Sequence, residues 1–250
     1  MIKPFVFYLV LLFLPLNSLG QLSVVPTAEV LTNTFSMQTD TLRGTCFLIV
    51  ENGNEYIVTA RHLFKMGIRN GDSLSFQIGR GAEEKGKEIL EYLRGEIYLH
   101  DTKDIDIVVV KTSNKLGHVK PYECSASGAT LGQDCYFLGF PYAEKYSTTI
   151  NGEVGRYPFI KKATFSANYT INNINLYLLD GLNNPSFSGG PVIFYDYNSN
   201  KNKILGVITA YHLQLDQAKI EDQILYYTEN SGIGICYPTH YILDIIRKIK

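Results

Sequence analysis

The feature that most constrains the fold is a succession of short β-branched and aromatic stretches, each bounded by turn residues. At 41–60, TLRGTCFLIV and EYIVTA flank ENGN, whose Asn-Gly is a hairpin signal, and DIVVVK, CYFLGFP and ILGVITAYH continue the pattern. Helical spacing is confined to 241–250, where isoleucines recur on one face. With about 230 residues after the N-terminal segment, we predict an all-β fold of two packed six-stranded barrels and a C-terminal helix.

The first twenty residues are typical of a signal peptide. The positive start MIK precedes an apolar run at 5–16, and small or polar residues follow up to Gly20. A membrane anchor is the alternative, but this run is short for a bilayer span of about 20 residues. We therefore expect 1–20 to be cleaved and the chain to be exported, either periplasmic or secreted.

Composition divides the remaining chain into two parts, and the second has an internal seam. Residues 21–40 are polar and mixed, and we predict an N-terminal arm there. The strand pattern fills 41–250, which we assign to one domain of two barrels. Within it, 113–132 is rich in Ser, Gly and Lys and is the expected seam between the two halves.

Charge and composition exclude several classes of function. The chain has 23 basic and 24 acidic residues, a formal net charge of −1, and no basic stripe that would bind nucleic acid. No His/Cys cluster has the spacing of metal ligands, so we expect neither a metal nor another cofactor. The expected partner is a peptide or protein substrate, with no stable membrane insertion after signal cleavage.

The four cysteines fall into two groups. Cys124 and Cys135 flank the turn-like stretch SASGATLGQ, so a local disulfide is possible in an exported protein. Cys46 and Cys236 lie in apolar, strand-like stretches, and we expect them to be buried free thiols.

Three short motifs contain candidate catalytic residues. In PSFSGGPV, Ser188 precedes two glycines, which allow the chain to turn tightly behind a nucleophile. His62 follows YIVTA-Arg and lies where a predicted strand ends. Asp106 directly precedes a buried apolar stretch, so its carboxylate needs a partner. Asp104 is the alternative acid, and each residue taken singly also fits a purely structural role.

Together, TARH, DIVVVK and SFSGGP resemble, in their order and flanks, the chymotrypsin/trypsin-like serine peptidases, in particular their bacterial HtrA-like or exported trypsin-like branch. The resemblance covers the protease domain (41–250) without a PDZ domain. It implies chymotrypsin-type barrels and a serine endopeptidase that forms an acyl-enzyme intermediate. Ser188 would be the nucleophile, His62 the general base and Asp106 the residue that orients the imidazole. The backbone N–H groups of Ser186 and Ser188 would form the oxyanion hole.

The resemblance also implies the substrate-binding residues. Thr209, Ala210 and Tyr211 match the strand that pairs with the substrate backbone, and Gly234 and Cys236 match the wall of the pocket for P1, the residue before the scissile bond. None of these residues carries a charge. An uncharged pocket predicts a small or medium apolar P1 residue, because burying an unpaired charge is costly.

Two departures from the family pattern motivate an alternative function, although the complete set of His62, Asp106 and Ser188 argues against it. Ser186 stands where the family usually has glycine, and Phe187 where it usually has Asp or Asn. An irregular turn before the nucleophile could leave the oxyanion hole unformed. The alternative is therefore a catalytically degenerate peptide-binding module on the same barrels.

Overall fold

The structure is a computed structural model that describes residues 28–39, 42–64, 67–84, 87–113, 115–116, 122–143, 148–150, 153–220 and 223–249. The elements in chain order are α1 (Ala28–Thr32), β1 (Thr34–Gln38), β2 (Arg43–Glu51), β3 (Asn54–Thr59), β4 (Ser73–Glu84), β5 (Lys87–Leu99), β6 (Val108–Thr112), β7 (Glu123–Cys124), β8 (Asp134–Gly139), β9 (Thr148–Ile150), β10 (Glu153–Gly155), β11 (Phe159–Ile171), β12 (Ile174–Asp180), β13 (Gly190–Asp196), β14 (Lys201–Ile220), β15 (Gln223–Pro238) and α2 (Thr239–Ile246). Short 3-10 turns follow β3 and β8. The predicted signal peptide (1–20) lies outside the described residues.

The first barrel is formed by β1, β2, β3, β6, β5 and β4, in that order. It closes because β1 pairs with both β2 and β4. Inward-facing residues fill it, among them Phe35, Ile57, Phe76 and Ile97, each no more than 3% exposed. The β9–β10 hairpin extends the sheet beyond β4.

The second barrel is formed by β13, β8, β11, β12, β15 and β14, and the β13–β14 pairing closes it. β7 adds to β14 in parallel. Phe137, Phe187, Phe194 and Leu205 fill its interior. The predicted all-β fold of two six-stranded barrels with a C-terminal helix is confirmed.

A third apolar cluster joins the barrels to each other and to α2. It contains Phe47 and Val109 from the first barrel, Leu138 and Ile193 from the second, and Ile245 from the helix. Close packing of this cluster holds the strand ends of the two barrels in fixed positions at their seam.

The N-terminal segment corrects one prediction. We predicted an arm at 21–40, but α1 and β1 occupy most of its second half, and Phe35 and Met37 of β1 are each 2% exposed. The five-residue sequence TFSMQ is a weak signal by itself, and its burial depends on the partner strands β2 and β4. The first barrel therefore begins before residue 41.

The possible disulfide between Cys124 and Cys135 is absent, and both thiols are free. Cys124 packs against the cluster that joins the barrels, whereas Cys135 lies inside the second barrel, so the two side chains enter different cores. Burial raises the pKa of each thiol to about 12, which keeps both protonated at neutral pH. Cys46 and Cys236 are buried free thiols, as predicted.

A buried ion pair joins the two strands of the β13–β14 hairpin. Lys203 Nζ lies 2.8 Å from Asp196 Oδ2, and their side chains are 8% and 4% exposed. Asp196 also accepts hydrogen bonds from the Ser199 hydroxyl and the Asn198 backbone N–H. The hydrogen bond from Lys203, followed by that from Ser199, holds the pKa of the Asp196 carboxyl well below its usual range.

This depressed pKa predicts a loss of stability in acid. A carboxyl whose folded-state pKa lies below its unfolded value of about 3.9 stabilises the fold above that value. The contribution declines as pH falls through about 4 towards the folded-state pKa. In urea unfolding between pH 7 and pH 3, Asp196→Asn should be less stable than the wild type at pH 7 and should lose less stability in acid.

The control is Asp134→Asn, which removes an exposed ion pair with Lys162. Its acid sensitivity should match that of the wild type, because exposed pairs contribute little. An unchanged acid slope in Asp196→Asn would contradict the prediction.

Candidate active site

His62 is presented at the seam by a single 3-10 turn, Arg61–Leu63, directly after β3. Leu63, 3% exposed, anchors this turn in the first barrel. The His62 side chain is 45% exposed, and an open cleft of about 390 Å³ lies beside it. The imidazole is therefore held on a rigid edge and remains accessible from solvent.

Asp106 contacts His62 through both carboxylate oxygens. Its Oδ2 lies 2.7 Å from the imidazole Nδ1, and its Oδ1 accepts the backbone N–H of His62 at 2.8 Å. Ile105 and Ile107 on either side are buried and fix the backbone of Asp106. These two contacts hold the carboxylate in one orientation, in which Oδ2 accepts a hydrogen bond from the Nδ1–H of His62.

Asp104, the alternative acid, takes a different position. Its backbone carbonyl accepts a hydrogen bond from the Tyr237 hydroxyl at 2.9 Å. Burial, and then the nearby Asp106 carboxylate, raises the pKa of Tyr237, so this hydroxyl stays a donor. The structure thus brings Asp106, and not Asp104, to the imidazole.

The loop that carries Ser188 is hydrogen-bonded to the first barrel by one residue. The backbone N–H of Thr45 donates to the Ser188 carbonyl at 2.9 Å, and its hydroxyl donates to the Ser186 carbonyl at 2.8 Å. The backbone N–H of Phe140 in turn donates to the Thr45 hydroxyl at 3.2 Å. Thr45 is fully buried, so these bonds fix the serine loop against the barrel that carries His62.

Both glycines after Ser188 are required by close backbone contacts. Gly189 has φ = +89°, and a Cβ there would clash with the carbonyl of Thr45 and the hydroxyl of Thr59. A Cβ on Gly190 would clash with the carbonyl of Leu138. A side chain at Gly189 would force the serine loop away from β3, the strand that leads to His62, and one at Gly190 would force it away from β8.

Ser186 adopts φ = +72°, the left-handed conformation that costs a non-glycine residue about 1 kcal/mol. Within the described residues, neither the Ser186 nor the Ser188 backbone N–H donates to a protein acceptor. Two free N–H groups on one turn are what an oxyanion hole requires.

Phe187, between these two serines, is fully buried in the second barrel. Its ring meets that of Phe137 edge to face with centroids 5.3 Å apart, and Lys161 Nζ lies 5.4 Å from its centroid. Lys161 also donates to the Leu182 carbonyl at 2.6 Å and to the Asn184 side chain. An apolar anchor therefore holds the turn where the family usually has a carboxylate or amide.

The Ser188 hydroxyl donates to the Thr209 carbonyl at 2.8 Å. In the described part of the chain it makes no hydrogen bond with His62. Thr209 is buried, whereas Ala210 is exposed and Tyr211 is partly exposed. The predicted substrate-pairing segment therefore lies directly beside the candidate nucleophile.

Of the two residues predicted to form the pocket wall, Gly234 and Cys236, only Gly234 lies beside the substrate-pairing segment. Gly234 pairs with Tyr211, which places it beside the substrate-pairing segment. Cys236 is fully buried in the second barrel core, so its predicted substrate contact is not supported. Its side chain points into the barrel, because it pairs with the inward-facing Ile208.

Sequence reasoning missed Asn183, which connects three segments of the candidate pocket. Its Nδ2 donates to the Ala210 carbonyl at 3.1 Å, and its own carbonyl accepts from the Asn230 side chain at 2.5 Å. Asn183 is 1% exposed, and its Oδ1 has no hydrogen-bond partner. Asn183 begins an Asn-Asn-Pro sequence before the serine motif, but this sequence alone predicts only an ordinary turn.

The structure offers no candidate metal site among the residues it describes, since no three His, Cys, Asp or Glu side chains cluster suitably. No described helix is long and apolar enough to cross a membrane.

A family model for the trypsin-like peptidase domain matches residues 44–207, a range that includes His62, Asp106 and Ser188. No curated protein matches the sequence.

Solved proteases share the fold at low sequence identity. The Rv3671c protease of M. tuberculosis, in its inactive form, has a TM-score of 0.52 and 16% identity, and the match covers 88% of this chain and 90% of that one. The HtrA-type protease AlgW with a tripeptide has a TM-score of 0.57 and 16% identity, with 88% and 61% covered. The serine endoprotease from Yersinia pestis has a TM-score of 0.52 and 16% identity, with 90% and 67% covered.

Proposed function

This chain belongs to the trypsin-like peptidase family of serine endopeptidases, and we propose that it hydrolyses peptide bonds with a His62–Asp106–Ser188 triad. The observation that carries the proposal is the doubly hydrogen-bonded His62–Asp106 pair beside a serine loop fixed to the same barrel. We also propose export to the periplasm or the exterior, which rests on the signal-like sequence 1–20.

The catalytic steps follow from this geometry. Ser188 Oγ attacks the scissile carbonyl carbon while its proton passes to Nε2 of His62. Asp106 keeps the other imidazole proton on Nδ1 and stabilises the imidazolium. The N–H groups of Ser186 and Ser188 donate to the oxyanion of the tetrahedral intermediate. When the C–N bond breaks, His62 returns the proton to the leaving amine, and water then hydrolyses the acyl-enzyme ester by the same route.

Substrate binding would also release the nucleophile. In the structure the Ser188 hydroxyl donates to the Thr209 carbonyl. An extended peptide paired with Thr209 presents a backbone N–H to that carbonyl and competes with the hydroxyl. Rotation of the Ser188 side chain towards His62 then completes the triad.

The pocket for P1 is proposed to be shallow and uncharged. Asn183 lies between its walls with 1% exposure, and Leu182 beside it is 53% exposed. Without an opposite charge, such a pocket disfavours Lys, Arg and Glu. We propose a preference for small or medium apolar P1 residues such as Val, Ala or Leu. One methylene changes the binding energy by only about 1–3 kcal/mol, so the preference is broad.

A fluorophosphonate probe tests this function, because it bonds covalently only to an activated serine. The folded wild type should be labelled, and Ser188→Ala should not. Ser166→Ala removes an exposed serine of β11 and should be labelled like the wild type. A folded wild type that binds peptides but takes no label would instead support the degenerate peptide-binding module.

A further inference from the structure

The substrate-pairing strand continues far beyond the candidate site. On one edge, β13 pairs with β14 only as far as Gly190 opposite Ile208. Beyond Ile208, β14 runs on to Ile220 with β15 on its other edge. In the part of the chain that the structure describes, no strand pairs with the β13-side edge of β14 from Thr209 onwards.

One face of this β14–β15 hairpin carries large apolar side chains in solvent. Lys219 pairs with Ile224 and Gln217 with Tyr226, so the register from Leu213 onwards places four such residues on one face. We call Leu213, Leu215, Ile224 and Tyr226 the apolar hairpin face; they are 55%, 68%, 56% and 62% exposed. Exposed apolar patches of this kind mark interaction surfaces.

The opposite face of the hairpin is less apolar, although Tyr227, which pairs with Asp216, is 40% exposed there. It carries Asp216 and Glu229, which lie on the other side of the pleat from the apolar hairpin face. Leu225 is also on this opposite face, opposite Ala218, and is 54% exposed. The hairpin thus offers a matched leucine outside the apolar hairpin face.

The free edge of β14 begins beside the candidate nucleophile. The Ser188 hydroxyl bonds the Thr209 carbonyl, where the free edge begins. A peptide in line with β13 would run antiparallel to β14, with its scissile bond near Ser188 and its N-terminal part along the hairpin. If P1 lies opposite Thr209 and one peptide residue lies opposite each residue of β14, Leu213 and Leu215 lie opposite about the fifth and seventh residues before the scissile bond. The pairing of β14 with β15 shifts register between Tyr211 and Leu213, so the peptide must follow this irregularity to reach them.

We propose that the apolar hairpin face is an extension of the substrate site, which binds an extended polypeptide segment with apolar residues at alternating positions upstream of the cleaved bond. The proposal rests on the proposed peptidase function. Main-chain hydrogen bonds along the free edge supply affinity, and the apolar side chains supply selectivity.

Peptides that differ only in their upstream length test the proposal. A short peptide has three residues before the scissile bond, a long apolar peptide has eight with alternating leucines, and a long polar peptide has serines instead. All have valine at P1. In the wild type, the KM of the long apolar peptide should be about tenfold lower than that of the long polar peptide, with kcat unchanged within about twofold. The short peptide, which makes no main-chain bonds along the hairpin, should have the highest KM.

The variants separate the apolar hairpin face from the rest of the hairpin. The double variant Leu215→Ser/Tyr226→Ser should lose the tenfold KM advantage and cleave the short peptide normally, which shows an intact active site. Leu225→Ser should keep the advantage. Equal KM values for the two long peptides in the wild type, or equal losses in both variants, would overturn the proposal and leave the peptidase function standing.

Two further outcomes have defined meanings. If no peptide is cleaved, the peptidase function fails, and fluorescence anisotropy of the three peptides with Ser188→Ala then decides whether the apolar hairpin face still selects the long apolar one. If sedimentation shows a wild-type dimer that the double variant abolishes, and peptide length has no effect, the face joins two copies of the chain and the proposal is wrong.

Discussion

Replacing Asp106 with asparagine should lower kcat about 10⁴-fold with little change in KM, the loss that a wrong imidazole tautomer causes in peptidases of this type. Asp106 Oδ1 accepts the His62 backbone N–H, so an asparagine retains its carbonyl oxygen there and turns its amide N–H₂ towards Nδ1. The imidazole must then present its lone pair at Nδ1 and hold its proton on Nε2. In that tautomer it cannot accept the proton of Ser188.

The matched control is Asp104→Asn, two residues away on the same loop. Asp104 accepts the hydrogen bond from Tyr237 through its backbone carbonyl, which the substitution retains. The kcat of this variant should therefore change by no more than a few-fold. Steady-state kinetics on one short peptide measure both variants. A larger loss in Asp104→Asn than in Asp106→Asn would show that the acid of the proposed triad is wrongly assigned.

Replacing Phe187 with alanine should lower the free energy of unfolding by about 3–5 kcal/mol, the range for a fully buried phenylalanine. For a chain of this size, that loss lowers Tm by roughly 6–20 °C. The ring packs directly on Gly139, where a Cβ would lie 2.5 Å from its Cδ1, so the vacated space borders rigid backbone. Thermal unfolding and urea titration measure the loss.

The companion variant Phe194→Ala separates stability from function. Phe194 is 1% exposed in the same core, but it lies on β13, away from the serine loop. Both variants should be destabilised to a similar extent. At a temperature where both remain folded, only Phe187→Ala should also lower kcat, because it alone loosens the turn that carries Ser186 and Ser188. Equal activity of the two variants would contradict the anchoring role of Phe187.

The anchoring of Phe187 also explains its departure from the family pattern. A carboxylate at this position would need a buried cationic partner, whereas the ring needs only the aromatic and aliphatic walls that the second barrel supplies. Lys161 places a positive charge near this ring and is held by the Leu182 carbonyl and the Asn184 side chain. Its pKa is lowered by burial.

The sequence by itself predicted the barrels, because strands and turns depend on local signals, and the family resemblance assigned His62, Asp106 and Ser188 as candidate catalytic residues. Strand stretches, turn residues and a glycine pair are encoded within a few positions of each other. The N-terminal strand β1 was missed because TFSMQ is too short to indicate burial without β2 and β4. The long β14–β15 hairpin was not predicted, because its length depends on pairing between residues up to 32 positions apart, such as Gly206 and Pro238.

The contacts between distant segments were decided only by the tertiary structure. The sequence favoured Asp106 over Asp104 because Asp106 directly precedes an apolar stretch, but the packing of β3 against β6 is what brings its carboxylate to His62. The same holds for the Ser188–Thr209 hydrogen bond and for Asn183, whose partners lie 27 and 47 residues away. Local sequence determines which side chains stand at strand ends, whereas the distances between them are set by how the two barrels close and pack.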